Sequence, residues 1–230
     1  MSPFVWSYSS LSCYLDVCPY QFAARYLDRR VEFVETPEIK WGNTVHTAME
    51  NFIKNGIALE PTFSGFMLRE SIEKWKSFVV PLVARGAVAE GQLGIDRNGK
   101  ACGFFDKGVW GRGKVDVSVV QGTTAYICDW KSGGSKYESS FELEIQALLL
   151  KAKHPDLTKI IGQYAWLKEN RLGKVYDLSE VEDTWHKVGN TVVEIAQRRV
   201  SNDWEKRKGP LCKWCSVFDC ENNINPSRKK

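Results

Sequence analysis

The sequence predicts a mixed α/β fold. In the first 84 residues, apolar side chains recur three or four positions apart, as on one face of a helix. After Arg85 and Gly86, the spacing changes to short alternating stretches bounded by turn residues, which is typical of strands. Because 43% of the 230 residues are hydrophobic, the chain can bury a sizeable core, and disordered or collagen-like classes are excluded.

Four helices are predicted before the strands begin. Serines that suit N-cap positions precede the first helix, and Pro19 suits the first turn of the second. Gly56 is a typical stop signal after the third helix, and Pro81 bends or ends the fourth. The predicted helices cover residues 9–16, 19–26, 37–55 and 63–84.

A meander of strands follows, and then helices and strands alternate. Clusters of turn residues at 96–100 and 121–124 separate the first strands. The predicted strands cover residues 88–95, 103–105, 109–120, 123–131, 160–167 and 174–178, and the later helices cover 141–153 and 180–200. We expect a single domain over 1–230, with a helical part at 1–84, a sheet core at 85–178 and a helix with a cysteine-containing tail at 179–230.

Charge and cysteine content narrow the class of protein. The net charge of +4 is too small for a protein that coats nucleic acid. The seven cysteines are an odd number without a secretory pattern before them, so a disulfide framework is not expected. The most apolar later stretch, residues 78–84, is far below the roughly 20 residues that span a bilayer. We therefore expect a soluble, cytoplasmic protein without membrane contact.

Two aspartates and a lysine are predicted to meet on one face of a hairpin. If Gly122 and Thr123 form a two-residue loop, Asp116 faces Asp129 across the strands. Like charges at such positions repel, so this register favours a divalent metal between them. Alternation places Lys131 on the face of Asp129, and Cys128 and Trp130 on the other. The alternative is a solvent-facing pair of acids with Lys131 as a salt-bridge partner.

This pattern resembles the PD-(D/E)xK nucleases, and in particular their RecB-like branch. Asp116 and the run Asp129-Trp-Lys131-Ser-Gly match the core signature of that branch. The resemblance implies a restriction-endonuclease-like core, in which a central mixed sheet is flanked by helices. It also assigns three further residues, namely His46 of a G-x-x-x-H helix, Glu90 on the first strand and Gln146 on the helix after the lysine strand.

The resemblance implies specific roles for these residues. His46, Asp116 and Asp129 would hold Mg2+ or Mn2+ with help from the Trp130 carbonyl, and Lys131 would position the attacking water. Glu90 is either a supporting carboxylate or an ordinary strand residue, and Gln146 suits DNA or a water as well as a helix surface. The motif's tyrosine position, residue 150, holds Leu, so this chain lacks the substrate contacts that the motif's tyrosine would make.

A second metal centre is predicted at the end of the chain. Cys212, Cys215 and Cys220 supply three thiolates, one fewer than zinc or a cubane cluster normally takes. Cys18 stands before Pro19 and resembles the amino-terminal cysteine of RecB-like nucleases that bind a [4Fe-4S] cluster with four cysteines. In those relatives a spacer of five residues is common where this chain has four. Structural Zn2+ is the alternative, and the centre would join the first and last segments.

The resemblance as a whole implies a metal-dependent DNA exonuclease that acts on single strands or DNA ends in recombination, repair or processing. Alternatives are a structure-specific endonuclease and a noncatalytic DNA-binding module with a structural zinc site. Because the sequence has no Walker-type phosphate loop, any unwinding needs a partner helicase or recombination protein. Several aromatic residues either stack on unpaired bases or belong to the core, and these are Trp6, Tyr8, Tyr14, Trp204 and Trp214.

Overall fold

The computed structural model describes residues 4–31 and 35–226. The chain divides into two compact units. One unit consists of the two ends of the chain, Met1–Val34 and Trp185–Lys230, and the other consists of the middle, Glu35–Thr184. Within the described residues, no helix combines the length and the apolar composition that crossing a bilayer requires.

A six-stranded mixed sheet forms the framework of the middle unit. The strands are β1 Val88–Ile95, β2 Ala101–Cys102, β3 Gly111–Gln121, β4 Thr124–Lys131, β5 Lys159–Trp166 and β6 Arg171–Asp177, in the order β2-β1-β3-β4-β5-β6. The β4–β5 pair is parallel and the other pairs are antiparallel. The chain returns from β4 to β5 through a helix, as a parallel pair requires. This mixed α/β arrangement confirms the predicted fold class.

Helices supply the other layers of the middle unit. They are α3 Pro37–Asn55, α4 Glu60–Phe63, α5 Arg69–Ala84 and α6 Phe141–Lys153. Thr36 caps α3 by accepting a hydrogen bond from the backbone of Ile39, and Gly56 follows its last residue. Val45 and Met49 of α3 lie fully buried in a core that also includes Trp130 of the sheet. Burial of this face places His46, the residue after Val45, at the edge of the core.

Two local predictions are wrong. The helix predicted over 63–84 is broken, because α4 ends at Phe63 and α5 begins only at Arg69. Pro81 lies inside α5, which continues to Ala84. Residues 103–105 form a turn rather than a strand, since the carboxylate of Asp106 accepts a hydrogen bond from the backbone of Gly103 at 2.6 Å.

The terminal unit brings the first helices and the carboxy-terminal tail together. Its helices are α1 Tyr8–Ser12 and α2 Pro19–Phe22, each continued by a π-helical turn, and α7 Glu182–Ser201, of which residues 185–201 belong to this unit. Asp219 of the tail accepts hydrogen bonds from Tyr20 and Arg30, and the backbone of Tyr20 donates to Glu205. Ala24, Val217 and Cys220 form a small buried cluster between these segments.

Candidate active site

Three acidic residues lie in one row across the sheet. The β3–β4 hairpin pairs Gln121 with Thr124 and continues to Val117 opposite Cys128, which is the predicted register. Asp116 and Asp129 are therefore the next residues on the two strands. The β1–β3 ladder pairs Ala89 with Val117 and Gly91 with Val115, so Glu90 lies beside Asp116 on its other side.

The backbone at this row departs from regular strand geometry. Glu90 has a φ of +51°, in the left-handed region that residues with a side chain rarely adopt. On β4, the backbone N–H of Trp130 donates to Asp116 Oδ2 at 2.8 Å. The hydrogen bond from Trp130 fixes the carboxylate of Asp116, and non-glycine residues in the backbone region of Glu90 often occur at functional sites.

His46 faces two of these carboxylates. Its Nδ1 lies 3.2 Å from Asp116 Oδ1 and 3.5 Å from Glu90 Oε1. One ligand atom from each of the three residues lies within 4.8 Å of the others. Two carboxylate oxygens and one imidazole nitrogen are a donor set that suits Mg2+ or Mn2+. The residues present therefore fit the predicted divalent metal, with Glu90 in the group and Asp129 beside it.

Burial and mutual charge set the pKa values at this group. Burial alone would lower the pKa of His46, but its hydrogen bonds to Asp116 and Glu90 raise that pKa to about 10. Burial and the neighbouring charge of Asp129 raise the pKa of Asp116 to about 6, despite the opposing effect of His46. The hydrogen bond from His46 lowers the pKa of Glu90. A cation among these side chains relieves the repulsion between the acids.

Asp129 is almost completely buried and is fixed from both sides. Gln146 of α6 donates from Nε2 to Asp129 Oδ1 at 2.8 Å. Lys131 Nζ lies 2.6 Å from Asp129 Oδ2 as an ion pair, although without the angles of a hydrogen bond. Gln146 is itself buried, so it is not a helix-surface residue, and its side chain orients Asp129. Leu150, at the motif's tyrosine position, is also buried.

Lys131 lies between two carboxylates, one of which the sequence reasoning missed. Its Nζ is 2.6 Å from Asp129 Oδ2 and 2.6 Å from Glu142 Oε2 on α6. Burial and the charge of Asp129 raise the pKa of Glu142 to about 7. The available signal was spacing, because Glu142 stands four residues before Gln146 on the predicted helix and therefore on the same face.

Cys128 and Trp130 point to the other side of the sheet, as predicted, where both are buried in the core. The help of the Trp130 carbonyl in holding the metal stays a prediction. Of the aromatic residues considered for base stacking, Trp6 and Tyr14 are buried in the terminal unit, whereas Trp214 is exposed. The core interpretation therefore holds for Trp6 and Tyr14.

The four cysteines predicted to share a centre line one cavity of about 260 Å³ in the terminal unit. They are Cys18, Cys212, Cys215 and Cys220. Backbone N–H groups donate to two of the sulfur atoms, from Gly209 to Cys212 Sγ and from Val217 to Cys215 Sγ, each at 3.4 Å. Such donors stabilise thiolate ligands.

The three remaining cysteines lie elsewhere in their units. Cys13 and Cys128 are buried, and burial raises the pKa of the Cys13 thiol to about 12, so it stays protonated. Cys102 is the last residue of strand β2.

The chain is similar to known proteins in its sequence pattern and in its fold. Residues 5–220 match the model of the PD-(D/E)XK nuclease superfamily. The crystal structure of a candidate exonuclease from Eubacterium rectale aligns over 92% of this chain and 87% of that one, with 11% identity and a TM-score of 0.57, which shows a shared fold. The structure of SSO0001 aligns over 86% of this chain and 93% of that one at 14% identity, with a TM-score of only 0.37. No curated protein matches the sequence.

Proposed function

The chain belongs to the PD-(D/E)XK nuclease superfamily, and we propose that it is a divalent-metal-dependent DNA exonuclease. One observation carries this proposal. His46, Glu90 and Asp116 converge within 4.8 Å beside Asp129, and Lys131 is held next to them by two carboxylates. A row of buried acids with a fixed ammonium group is costly for stability alone, and it suits phosphodiester hydrolysis.

The protein's own residues divide the work of hydrolysis. His46, Glu90 and Asp116 would hold Mg2+ or Mn2+, with Asp129 as the further carboxylate of the set. A bound divalent cation neutralises phosphate charge and lowers the pKa of a bound water. Lys131 places a positive charge where negative charge develops on the phosphate and can hold the attacking water in line. Gln146 orients Asp129 through the 2.8 Å hydrogen bond.

Single-stranded DNA or a DNA end is the substrate we propose, and the superfamily supports a DNA substrate. We further propose that the chain degrades this DNA stepwise from an end, as an exonuclease. The alternative within the same chemistry is a structure-specific endonuclease, and the alternative without it is a DNA-binding module that does not hydrolyse DNA. A helicase or recombination protein would supply unwinding where duplex DNA must be opened.

The terminal unit is proposed to hold a [4Fe-4S] cluster. Its four cysteines line one cavity, and backbone donors point at two of the sulfurs. The resemblance to RecB-like nucleases with four such cysteines favours the cluster over structural Zn2+. The centre would stabilise the terminal unit rather than take part in hydrolysis. An intracellular location, where thiols stay reduced, suits a chain in which all seven cysteines are free.

Anaerobic purification tests the cluster. We expect brown protein that absorbs near 400 nm and contains iron and sulfide, and Cys215→Ser should lose the colour. Colourless protein with stoichiometric zinc would contradict the cluster and support structural Zn2+ instead.

A gel assay tests the proposed activity. Linear single strands, linear duplexes and circular single strands carry a label and are incubated with Mn2+, Mg2+ or EDTA. We expect stepwise shortening of linear DNA that needs Mn2+ or Mg2+, and no cleavage of circles. Cleavage of circles would indicate the endonuclease instead. Binding without any hydrolysis would favour the noncatalytic module. Lys131→Ala should abolish hydrolysis while DNA binding persists.

A further inference from the structure

A groove with an aromatic wall lies in the middle unit, on elements that also carry residues of the candidate active site. It encloses about 600 Å³ and is formed by α3, by the segment before α5, by the residues after β4 and by the residues between β5 and β6. Trp41 and Phe66 stand on one side of the groove, and Ser132, Lys168 and Asn170 also line it. None of these residues has a role in the hydrolysis proposed above.

The aromatic pair presents an open stacking surface. The rings of Trp41 and Phe66 lie 3.9 Å apart between centroids with 30° between their planes. Phe66 is nevertheless 69% exposed, so one face of its ring contacts Trp41 and the other is open to solvent. Leu68, two residues later, is also exposed and lines the groove. A contiguous exposed apolar patch on a folded protein often marks a binding site.

A polar group inside the groove has no hydrogen-bond partner. Asn170 Oδ1 is buried, and no described residue donates to it. Asn170 also has a φ of +50°, in the left-handed region that asparagine adopts more readily than most other residues. A rotation of this side chain into the groove would expose the oxygen to N–H donors on the edge of a flat ligand and supply its missing hydrogen bond. The rim carries one charge of each sign, from the exposed side chains of Lys168 and Glu38, so stacking rather than net charge recommends the groove.

The groove and the active site share helix α3 and the end of strand β4. Val45 lines it, and the next residue is His46; Ser132 lines it, and the preceding residue is Lys131. The helix and the post-β4 segment approach closely, since a Cβ atom at Gly42 would lie 3.5 Å from Ser132 Oγ. A nucleotide whose phosphate meets His46 and Lys131 would therefore have its neighbouring base at the groove.

We propose that this groove binds an unpaired nucleobase next to the scissile phosphate, with the base stacked on Phe66 and its edge donating to Asn170. Within a duplex, the faces and the pairing edge of a base are already covered by its neighbours. The groove therefore selects single-stranded or frayed DNA. This inference rests on the proposed nuclease function, because it takes the position of the phosphate from that site.

Binding of fluorescein-labelled strands, followed by anisotropy in EDTA so that the strands stay intact, tests the groove. The probes are a natural single strand, an abasic strand of equal length and the corresponding duplex. Phe66→Ala should weaken binding of the natural strand by about tenfold, within the range measured for loss of one base–aromatic stack. The same variant should bind the abasic strand as the parental chain does.

Three further variants serve as controls and as an independent readout. Phe66→Tyr keeps the ring and should keep the affinity. Phe105→Ala removes an equally exposed aromatic ring outside the groove and should change nothing. Asn170→Gly tolerates the positive φ but removes the amide, and it should weaken binding of the natural strand by about threefold while leaving the abasic strand unaffected.

Two results would contradict the proposal that the groove binds an unpaired base. One is parental affinity of Phe66→Ala for the natural strand, and the other is an equal loss on the abasic strand. If the chain hydrolyses DNA but binds the natural strand independently of Phe66, only the proposed role of the groove is wrong. If binding depends on Phe66 and on the bases but no metal supports hydrolysis, only the nuclease function is wrong.

Discussion

Two carboxylates hold the ammonium group of Lys131, one from its own strand and one from a neighbouring helix. Asp129 lies on the same strand and Glu142 on α6, and each carboxylate is 2.6 Å from Nζ. A lysine side chain otherwise retains several rotamers, and fixing one has an entropic cost that these contacts offset. Glu142 therefore acts as a positioning residue, because it orients Lys131 without needing to touch DNA or metal.

Glu142→Gln should lower kcat for DNA hydrolysis about tenfold, since the ammonium group loses one of its two anionic partners. KM for DNA and the affinity for Mn2+ should stay unchanged, because Glu142 lies outside the group of His46, Glu90 and Asp116 that would hold the metal. Steady-state kinetics with a labelled strand gives both parameters. Glu144→Gln on the same helix is the matched control and should retain parental kcat. An unchanged kcat in Glu142→Gln would show that Asp129 alone positions Lys131.

Glu90 combines a functional side chain with an unfavourable backbone conformation. Replacing it by Gly and by Ala removes the carboxylate in both cases, but only Gly adopts a φ of +51° without steric cost. Glu90→Gly should therefore be more stable than Glu90→Ala by about 1 kcal/mol in urea unfolding. Both variants should bind Mn2+ more weakly than the parental chain. Equal stability of the two variants would contradict the assigned backbone strain.

At the scale of elements, the β3–β4 hairpin aligns the acids. Its register is set by the two-residue turn, in which Gly122 has a φ of +57°. A slip of one residue would move every side chain of one strand to the opposite face. Asp116 and Asp129 share a row with Glu90 because this turn and the β1–β3 ladder agree.

Gly122→Ala should destabilise the protein by about 1 kcal/mol, because a Cβ atom is disfavoured at positive φ. Chemical unfolding followed by circular dichroism measures the change, and the m-value should stay constant. Gly65→Ala is the control, since no neighbour lies within 4 Å of the added Cβ and no positive φ is involved. A larger loss from Gly65→Ala than from Gly122→Ala would contradict the role of the turn.

Elements with strong local signals were predictable from the sequence. Helix α3 covers the predicted residues, since Thr36 caps its start and Gly56 follows its end, and the hairpin register followed from Gly122. The strand predicted at 103–105 failed because a local hydrogen bond from Gly103 to Asp106 forms a turn instead. Propensity does not reveal such side-chain competition with the backbone.

The site residues likewise divide into those predictable from the sequence and those that depend on tertiary packing. Asp116, Asp129 and Lys131 could be brought together from strand alternation alone. Glu142 was missed although its spacing from Gln146 places both on one face of α6, because only packing against β4 shows that this face meets Lys131. The strained backbone of Glu90 and the open face of Phe66 likewise depend on tertiary structure.

At the scale of the whole molecule, the two predicted metal centres lie in different compact units. His46, Glu90, Asp116, Asp129 and Lys131 belong to the middle unit, and the four cysteines belong to the terminal unit. The net charge of +4 conceals a buried group of acids in the middle unit. A modest net charge is therefore compatible with DNA as the substrate, since charge is arranged locally.

The rate of DNA hydrolysis as a function of Mn2+ concentration tests the central claim most directly. The parental chain should be inactive in EDTA and reach a plateau as Mn2+ rises, and His46→Ala should need more Mn2+ because one ligand is lost. Lys131→Ala should be inactive at every concentration. Hydrolysis that persists in EDTA, or parental rates in Lys131→Ala, would contradict the assignment of this site.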